Sequence, residues 1–438
     1  MIQERFHQYI ASDFPELFET PFLIAISGGV DSVVLAHLCF ELKLNFALAH
    51  CNFKLRSEES DKDVAYVKQL AEQLNCELFK KNFETEAIAE QQKESIQITA
   101  RNLRYQWFDE LIKSTPYTLL LTAHHLNDSL ETFIINLSRS TGIKGLTGIP
   151  SHKEYIRRPL LIFSKKEIKD FAINQNIEWR EDQSNTSPKY LRNKIRHQIV
   201  PELMGLSPNF LNNFDSSLQK IKEAEHLLED YTNLLFKTLV KEKKDCYEID
   251  IEKLKQYPNQ KAVLYQLLDS FGFKEWNDVY HLIHSQTGKY VESPTHRLYK
   301  DRNKLVLTTR SATTFNSIII DEDQSKVQVG DLRLQLSKVD KLGDLDSNLA
   351  YFDLAKLKFP LSLRSVNKGD AFYPFGMKGK KKLSDFLKDK KVSPHQKPNQ
   401  LVLCNGNDDI IWVLNLRTDN RYKVDQTTDK ILKIEFLK

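Results

Sequence analysis

Phe22-Leu23-Ile24-Ala25-Ile26-Ser27-Gly28-Gly29-Val30-Asp31-Ser32 decides the fold of this chain. An apolar run stops at Ser-Gly-Gly, and a helical pattern opens at Asp31. The string reads as a strand, a tight turn and a helix start. Glycines let backbone N–H groups approach an anion closely, and a helix start adds unpaired donors and the positive end of its dipole. Ser27 and Ser32 are read as hydroxyl donors and Asp31 as a ligand for magnesium. Ser27, Gly28, Gly29, Val30, Asp31 and Ser32 are thus expected to cradle phosphate groups. The plainer reading is a strand–turn–helix corner capped by Asp31. No Gly-Lys-Ser/Thr follows four variable residues, so the string itself places no lysine at a terminal phosphate.

Outward from this corner, the first ~200 residues alternate strand and helix patterns. Strands are expected at about Phe22–Ile26, Asn45–His50, Glu77–Asn82 and Thr118–Ala123. Helices are expected over Asp31–Leu42, from Ser60 (Ser60-Asp61-Lys62-Asp63 reading as a capping box), in one stretch from near Thr85 to Ile112, and from near Asn127. That order gives an α/β fold with a doubly wound parallel sheet. Such sheets bind ligands beyond the carboxyl ends of their strands, where Ser27-Gly28-Gly29, His50-Cys51-Asn52 and His124-His125 fall. Residues ~210–300 read as helical and charged, and short β-rich runs follow. The expected domains are 1–205 (catalytic), 206–320 (helical middle) and 321–438 (small α+β).

The chain has 438 residues, with 63 Lys and Arg against 59 Asp and Glu, a net charge of +4. That balance implies nucleic-acid binding only through local patches. Cys39, Cys51, Cys76, Cys246 and Cys404 form no Cys-x-x-Cys pair, which argues against zinc and redox sites and fits a reducing, cytoplasmic setting. No apolar run approaches a membrane span and no signal-peptide core is evident.

Further motifs carry charge to the same sheet edge. His124 ends a strand, and Asp128 and Glu131 share a face of the next helix. They could hold a cationic amine and take its proton; alternatively, they are acidic residues favouring a helix start capped by Asn127. Arg101 and Arg104 share a helix face suited to phosphates or an RNA backbone. Phe53 offers a stacking surface, with Lys54 and Arg56 beside it. Arg192, Lys194 and Arg196 form a basic patch suited to a polyanion. Near the end, Lys380, Lys381 and Lys382 belong to a lysine cluster interleaved with Phe372, Tyr373, Phe375 and Phe386, a mixture suited to RNA.

The Ser-Gly-Gly-Val-Asp-Ser string resembles the pyrophosphate loop of the ATP pyrophosphatase (PP-loop) family, with its Rossmann-like sheet. The ordered set His50…Arg56, Ser57–Asp61, Ala100-Arg101…Arg104-Tyr105, Thr122…Thr132, Arg139, Gly142…Leu146, Arg158-Pro159-Leu160-Leu161 and Asp182…Asn185…Arg196 resembles one branch, the tRNA(Ile)-lysidine synthetases. Arg364…Gly369-Asp370…Pro374-Phe375-Gly376…Phe386 looks like that family's C-terminal domain. The chain departs from the pattern at Cys51, Phe53 and Asn127, where valine, histidine and aspartate are common. The resemblance implies that ATP adenylates O2 of the wobble cytosine in a CAU-anticodon tRNA(Ile). The ε-amine of free L-lysine then attacks carbon 2 and expels AMP. Asp31, His124, Asp128 and Glu131 would be catalytic, Asp31 would hold Mg2+, and His124, Asp128 and Glu131 would hold lysine. Arg101, Arg104, Arg192, Arg196, Lys380, Lys381 and Lys382 would bind tRNA. A homodimer is a further expectation. The alternatives are a tRNA thiolase, which needs paired cysteines near the site, an amide-forming synthetase, and an RNA-binding protein with a relic nucleotide fold.

Overall fold

The computed structural model describes residues 2–55, 57–180, 191–310, 315–329, 332–343 and 346–437. Arg56 and the Asp182…Asn185 motif lie outside them. The chain forms two compact units, Met1–Glu229 and Asp230–Lys438.

In the first unit, helix α1 is Ile2–Asp13 and the strands are β1 (Phe22–Ala25), β2 (Phe46–Asn52), β3 (Leu78–Asn82), β4 (Leu119–Leu121), β5 (His152–Lys153) and β6 (Ile156–Arg157). Their order in the sheet is β3-β2-β1-β4-β6-β5. Every pairing is parallel except that of β5 with β6. Apolar residues occupy both sheet faces. Phe22, Ile24, Leu48 and Leu121 enter one core with Phe6, Val33 and Phe163. Leu23, Ala47, Ala49 and Leu120 enter a second core with Trp107 and Phe108. A strand covered on both faces needs apolar side chains at odd and even positions, hence the unbroken runs. The chain reverses direction across the sheet at β1, which pairs with β2 on one side and β4 on the other. The ligand crevice of such a sheet therefore opens beyond the ends of β1 and β4.

The helices that connect and follow these strands are α2 (Val30–Glu41), α3 (Ser57–Gln73), α4 (Thr85–Gln92), α5 (Ile96–Ser114), α6 (Leu126–Leu137) and α7 (Lys165–Asn174). Two helix starts differ from expectation. The single stretch from Thr85 is broken: Lys93 ends α4 in the left-handed region (φ 54°), and the Ser95 hydroxyl then caps α5. Ser60 is not a cap, since α3 already begins at Ser57.

In the second unit the middle region carries, besides short helices such as Gln260–Leu268 and Trp276–His281, an antiparallel sheet of five strands between Val240 and Thr309. Leu235, Ile249, Leu264, Leu298 and Leu307 share its core. The last segment is strand-rich, with a five-stranded and a four-stranded antiparallel sheet around Phe352, Leu403, Trp412 and Ile434.

Candidate active site

The loop after β1 is braced by its own hydroxyls. Ser32 Oγ accepts from the Ser27 N–H at 3.2 Å and donates to the Gly29 carbonyl at 3.0 Å, and Ser27 Oγ accepts from the Gly29 N–H at 3.2 Å. Ser32 is buried, so it shapes the loop and is not the free donor expected from the sequence. Gly28 has φ +88°, and the Arg180 N–H donates to its carbonyl at 3.0 Å. Gly29 starts α2 with no side-chain cap. The first-turn N–H groups of a 12-residue helix are thereby left to an incoming anion.

Behind this loop lies a cavity of about 470 Å³, lined among others by Ser27, Gly29, Asp31, His50, Phe53, Asp63, Arg104, Lys165, Lys169, Trp179 and Arg180. That volume is typical of small-ligand sites. His50 Nδ1 lies 2.9 Å from the Ile26 carbonyl, and burial holds its pKa down. Phe53 stacks on Phe83 and lies under the Arg104 guanidinium at 5.2 Å, so its ring is already engaged. Arg101 sits over Tyr105 at 5.1 Å and does not line the cavity. Lys54 pairs with Glu84. Sequence reasoning passed over Lys165, Lys169, Trp179 and Arg180. The signal for Lys165 was Ser164-x-x-Glu167, a capping box that the structure contains.

Asp31 connects this cavity to the acidic pair. Its Oδ2 lies 3.9 Å from His125 Nε2, which lies 3.5 Å from Asp128 Oδ2. His125 is the N-cap of α6, and its backbone N–H donates to Asp128 Oδ2 at 3.0 Å. Asn127, which the plainer sequence reading made the cap, instead accepts the Lys165 backbone N–H at 2.9 Å. Asp128 and Glu131 are 7% and 2% exposed. Burial opposes ionisation of Asp128, yet His125, His124, Arg192 and the His125 N–H hold its carboxyl below the usual range. His124 takes a hydrogen bond at 2.9 Å between its Nδ1 and Thr122 Oγ1, and burial lowers its pKa to about 4. It is a neutral imidazole at pH 7.

Arg192 and Arg196, expected on tRNA, meet these two carboxylates. Arg192 Nε donates to Glu131 Oε2 at 2.8 Å and its NH2 to Asp128 Oδ1 at 3.1 Å. Arg196 Nε donates to Glu131 Oε1 at 2.6 Å, and its NH2 to Asp128 Oδ1 and Glu131 Oε2 at 2.9 and 3.0 Å. Two guanidinia therefore balance the charge the sequence had set aside for an amine. Both remain partly exposed.

In the second unit, Lys380 and Lys382 are exposed, whereas Lys381 pairs with Asp389. Phe372 and Phe386 pack edge-to-face in a buried core, and Tyr373 lies under Arg421. Of the four interleaved aromatics only Phe375 is exposed, which corrects the picture of a stacking platform.

The donor set fits a nucleotide triphosphate. A helix start without a side-chain cap and the cations Arg104, Lys165 and Lys169 face one cavity. It also fits magnesium, which takes one or two protein carboxylates plus phosphate oxygens: Asp31 lines the cavity, and among the described residues no His/Cys/Asp/Glu group forms a metal cage of its own. Cys51 in the cavity wall is pushed by burial to a pKa of about 12, a poor state for sulfur transfer.

Residues 2–203 match the PP-loop domain family, 242–310 the TilS substrate binding domain and 361–435 the TilS substrate C-terminal domain. A tRNA(Ile)-lysidine synthase of Parabacteroides distasonis is 35% identical over 425 residues, 96% of either chain. The synthase of Bacteroides thetaiotaomicron is 35% identical over 99% of either chain, and that of Porphyromonas gingivalis 31% over 93% of this chain and 92% of its own. With that identity sustained from end to end, on a fold whose phosphate loop sits at the switch point of its sheet, this chain belongs to the tRNA(Ile)-lysidine synthase family.

Proposed function

We propose that this chain ligates free L-lysine to carbon 2 of the wobble cytidine in a CAU-anticodon tRNA(Ile), consuming ATP and releasing AMP and pyrophosphate. One observation carries the site assignment: the phosphate loop and the acidic pair belong to one chain of contacts, Asp31 to His125 to Asp128, at the carboxyl edge of the sheet. A nucleotide cradle and an amine site must adjoin if one base is to be activated and then attacked.

Cytosine O2 attacks the α-phosphorus of ATP, and pyrophosphate leaves. The first-turn N–H groups of α2, which no side chain caps, offset charge on the departing oxygens. Magnesium on Asp31 would supply further charge neutralisation there. In the second half, the ε-amine of lysine attacks carbon 2 and AMP leaves. The substrate ammonium, with a free pKa of ~10.4, is held by Asp128 and Glu131, taking over the place of a guanidinium from Arg192 or Arg196; it gives one proton to solvent to become the attacking amine, and the attacking nitrogen loses a second to solvent as AMP departs. His124, neutral with a pKa of about 4, accepts a hydrogen bond from the amine. So weak a base suits orientation better than proton removal. Arg101, Arg104 and the exposed Lys380 and Lys382 bind tRNA phosphates.

A thiolase reading loses to this one, because the relatives are lysidine synthases over nearly their full length. The direct test supplies purified protein with ATP, magnesium, labelled lysine and CAU-anticodon tRNA(Ile). Label enters the tRNA only when ATP is present; absence of label with active relatives run alongside overturns the assignment.

A further inference from the structure

We propose that His50 is a ribose-binding residue of the ATP site, its Nε2 accepting a hydrogen bond from a sugar hydroxyl of the nucleotide. The inference rests on the reading that the cavity beside the loop takes ATP. His50 stands near the end of β2, one residue past the register pair Ala25 and Ala49 that aligns β2 with β1. Its side chain is 4% exposed and forms part of the cavity wall. Nδ1 lies 2.9 Å from the Ile26 carbonyl. A carbonyl oxygen only accepts, so Nδ1 carries the hydrogen. Burial outweighs the opposing pull of that carbonyl and of Asp63, and the ring is neutral at pH 7. Nε2 therefore holds a lone pair and no hydrogen.

Among the described residues no group bonds to Nε2, and packing does not seal the atom off as it does Nδ1 of His125. Buried ring nitrogens find partners as a rule. Here one is tied to the backbone, and the other is left to whatever fills the cavity. An open acceptor selects among the parts of a nucleotide. Phosphate oxygens are themselves acceptors and repel the lone pair. The donors of ATP are its sugar hydroxyls and the amine of its base. Ile26 directly precedes Ser27-Gly28-Gly29, so the imidazole is fastened one residue away from the phosphate cradle. In a nucleotide the ribose adjoins the phosphates, and the base lies farther along. A sugar hydroxyl is thus the donor this place favours, and the 2′ and 3′ hydroxyls offer the same chemistry.

The test uses the full chain as wild type, His50→Asn and His50→Gln. It reads equilibrium binding of ATP, 2′-deoxy-ATP and 3′-deoxy-ATP by calorimetry in magnesium, without tRNA. Asparagine keeps a donor near the place of Nδ1 and removes the acceptor, whereas glutamine returns an amide oxygen near the place of Nε2. One neutral hydrogen bond predicts that one of the deoxy nucleotides binds wild type about 3–10-fold more weakly than ATP. A loss with 2′-deoxy-ATP assigns the 2′ hydroxyl, and a loss with 3′-deoxy-ATP the 3′ hydroxyl. In His50→Asn the affinity for ATP falls by the same factor and that for the discriminated nucleotide stays as in wild type, so the preference disappears. His50→Gln restores it at least in part. Equal binding of all three nucleotides to wild type overturns the proposal, as does an undiminished preference in His50→Asn. A loss shared equally by the three nucleotides in His50→Asn marks a histidine that only shapes the wall, and overturns it too. Wild type that binds none of the three instead sinks the reading of the cavity, and this proposal with it.

Discussion

Replacing Arg196 by alanine exposes what holds the acidic pair in place. Of the five hydrogen bonds that two guanidinia make to Asp128 and Glu131, Arg196 makes three. Among the described residues, Arg192 and Arg196 are the cations paired with Glu131, which is 2% exposed. Stripping one partner from a fully buried pair costs about 3–5 kcal/mol, because the charge left behind is neither hydrated nor paired. Here Arg192 stays on with two bonds, and the Arg192 and Arg196 side chains are 40% and 34% exposed, so water reaches the gap. Those two facts bring the expected cost to about 2–3 kcal/mol, against about 1–2 kcal/mol for Arg192→Ala. Urea unfolding at neutral pH, at constant m-value, measures both. Adding Glu131→Gln to Arg196→Ala removes the stranded charge and recovers at least about 1 kcal/mol of the loss. A cost for Arg196→Ala under about 0.5 kcal/mol, or a Glu131→Gln cost that simply adds to it, would show that the guanidinium does not hold this carboxylate.

Gly28→Ala forces a Cβ into the left-handed region at φ +88°, at about 1–2 kcal/mol; the loop reshapes, and weakened ATP binding in a folded protein is the expected readout. His124 has a native pKa near 4 against 6.5 for the free group. Between those values the unfolded chain binds the extra proton, so stability is complete above pH 6.5 and falls as pH drops toward 4, by as much as about 3 kcal/mol. Acid unfolding of His124→Asn tests this, since that variant flattens the limb. Lys380→Glu with Lys382→Glu leaves the fold intact, both side chains being exposed. It weakens tRNA binding and lowers the salt slope by roughly one unit for each phosphate no longer neutralised; an unchanged slope removes these lysines from the interface.

The parallel sheet was readable from one-dimensional pattern because its causes are local. Phe22–Ala25 must be apolar at every position to be covered on both faces, and Gly28 must tolerate a positive φ. Those demands write themselves into consecutive residues. Breaks set by a single side chain were harder: Lys93 turning left-handed and the Ser95 cap divide a helical pattern that looks continuous by periodicity. In the tail, a count of aromatics could not separate Phe375 at the surface from Phe372 and Phe386 inside.

By itself the sequence determined the strand–turn–helix corner, the order of strands and helices around it, and which titratable groups stand at strand ends. The tertiary structure alone decided what those groups face. Arg192 and Arg196 reach Asp128 and Glu131 from more than 60 positions away, and Lys165 reaches Asp31 from 134. Backbone preference acts between near neighbours and leaves a mark at fixed spacing, whereas charge pairing acts through space once the chain has closed and leaves none.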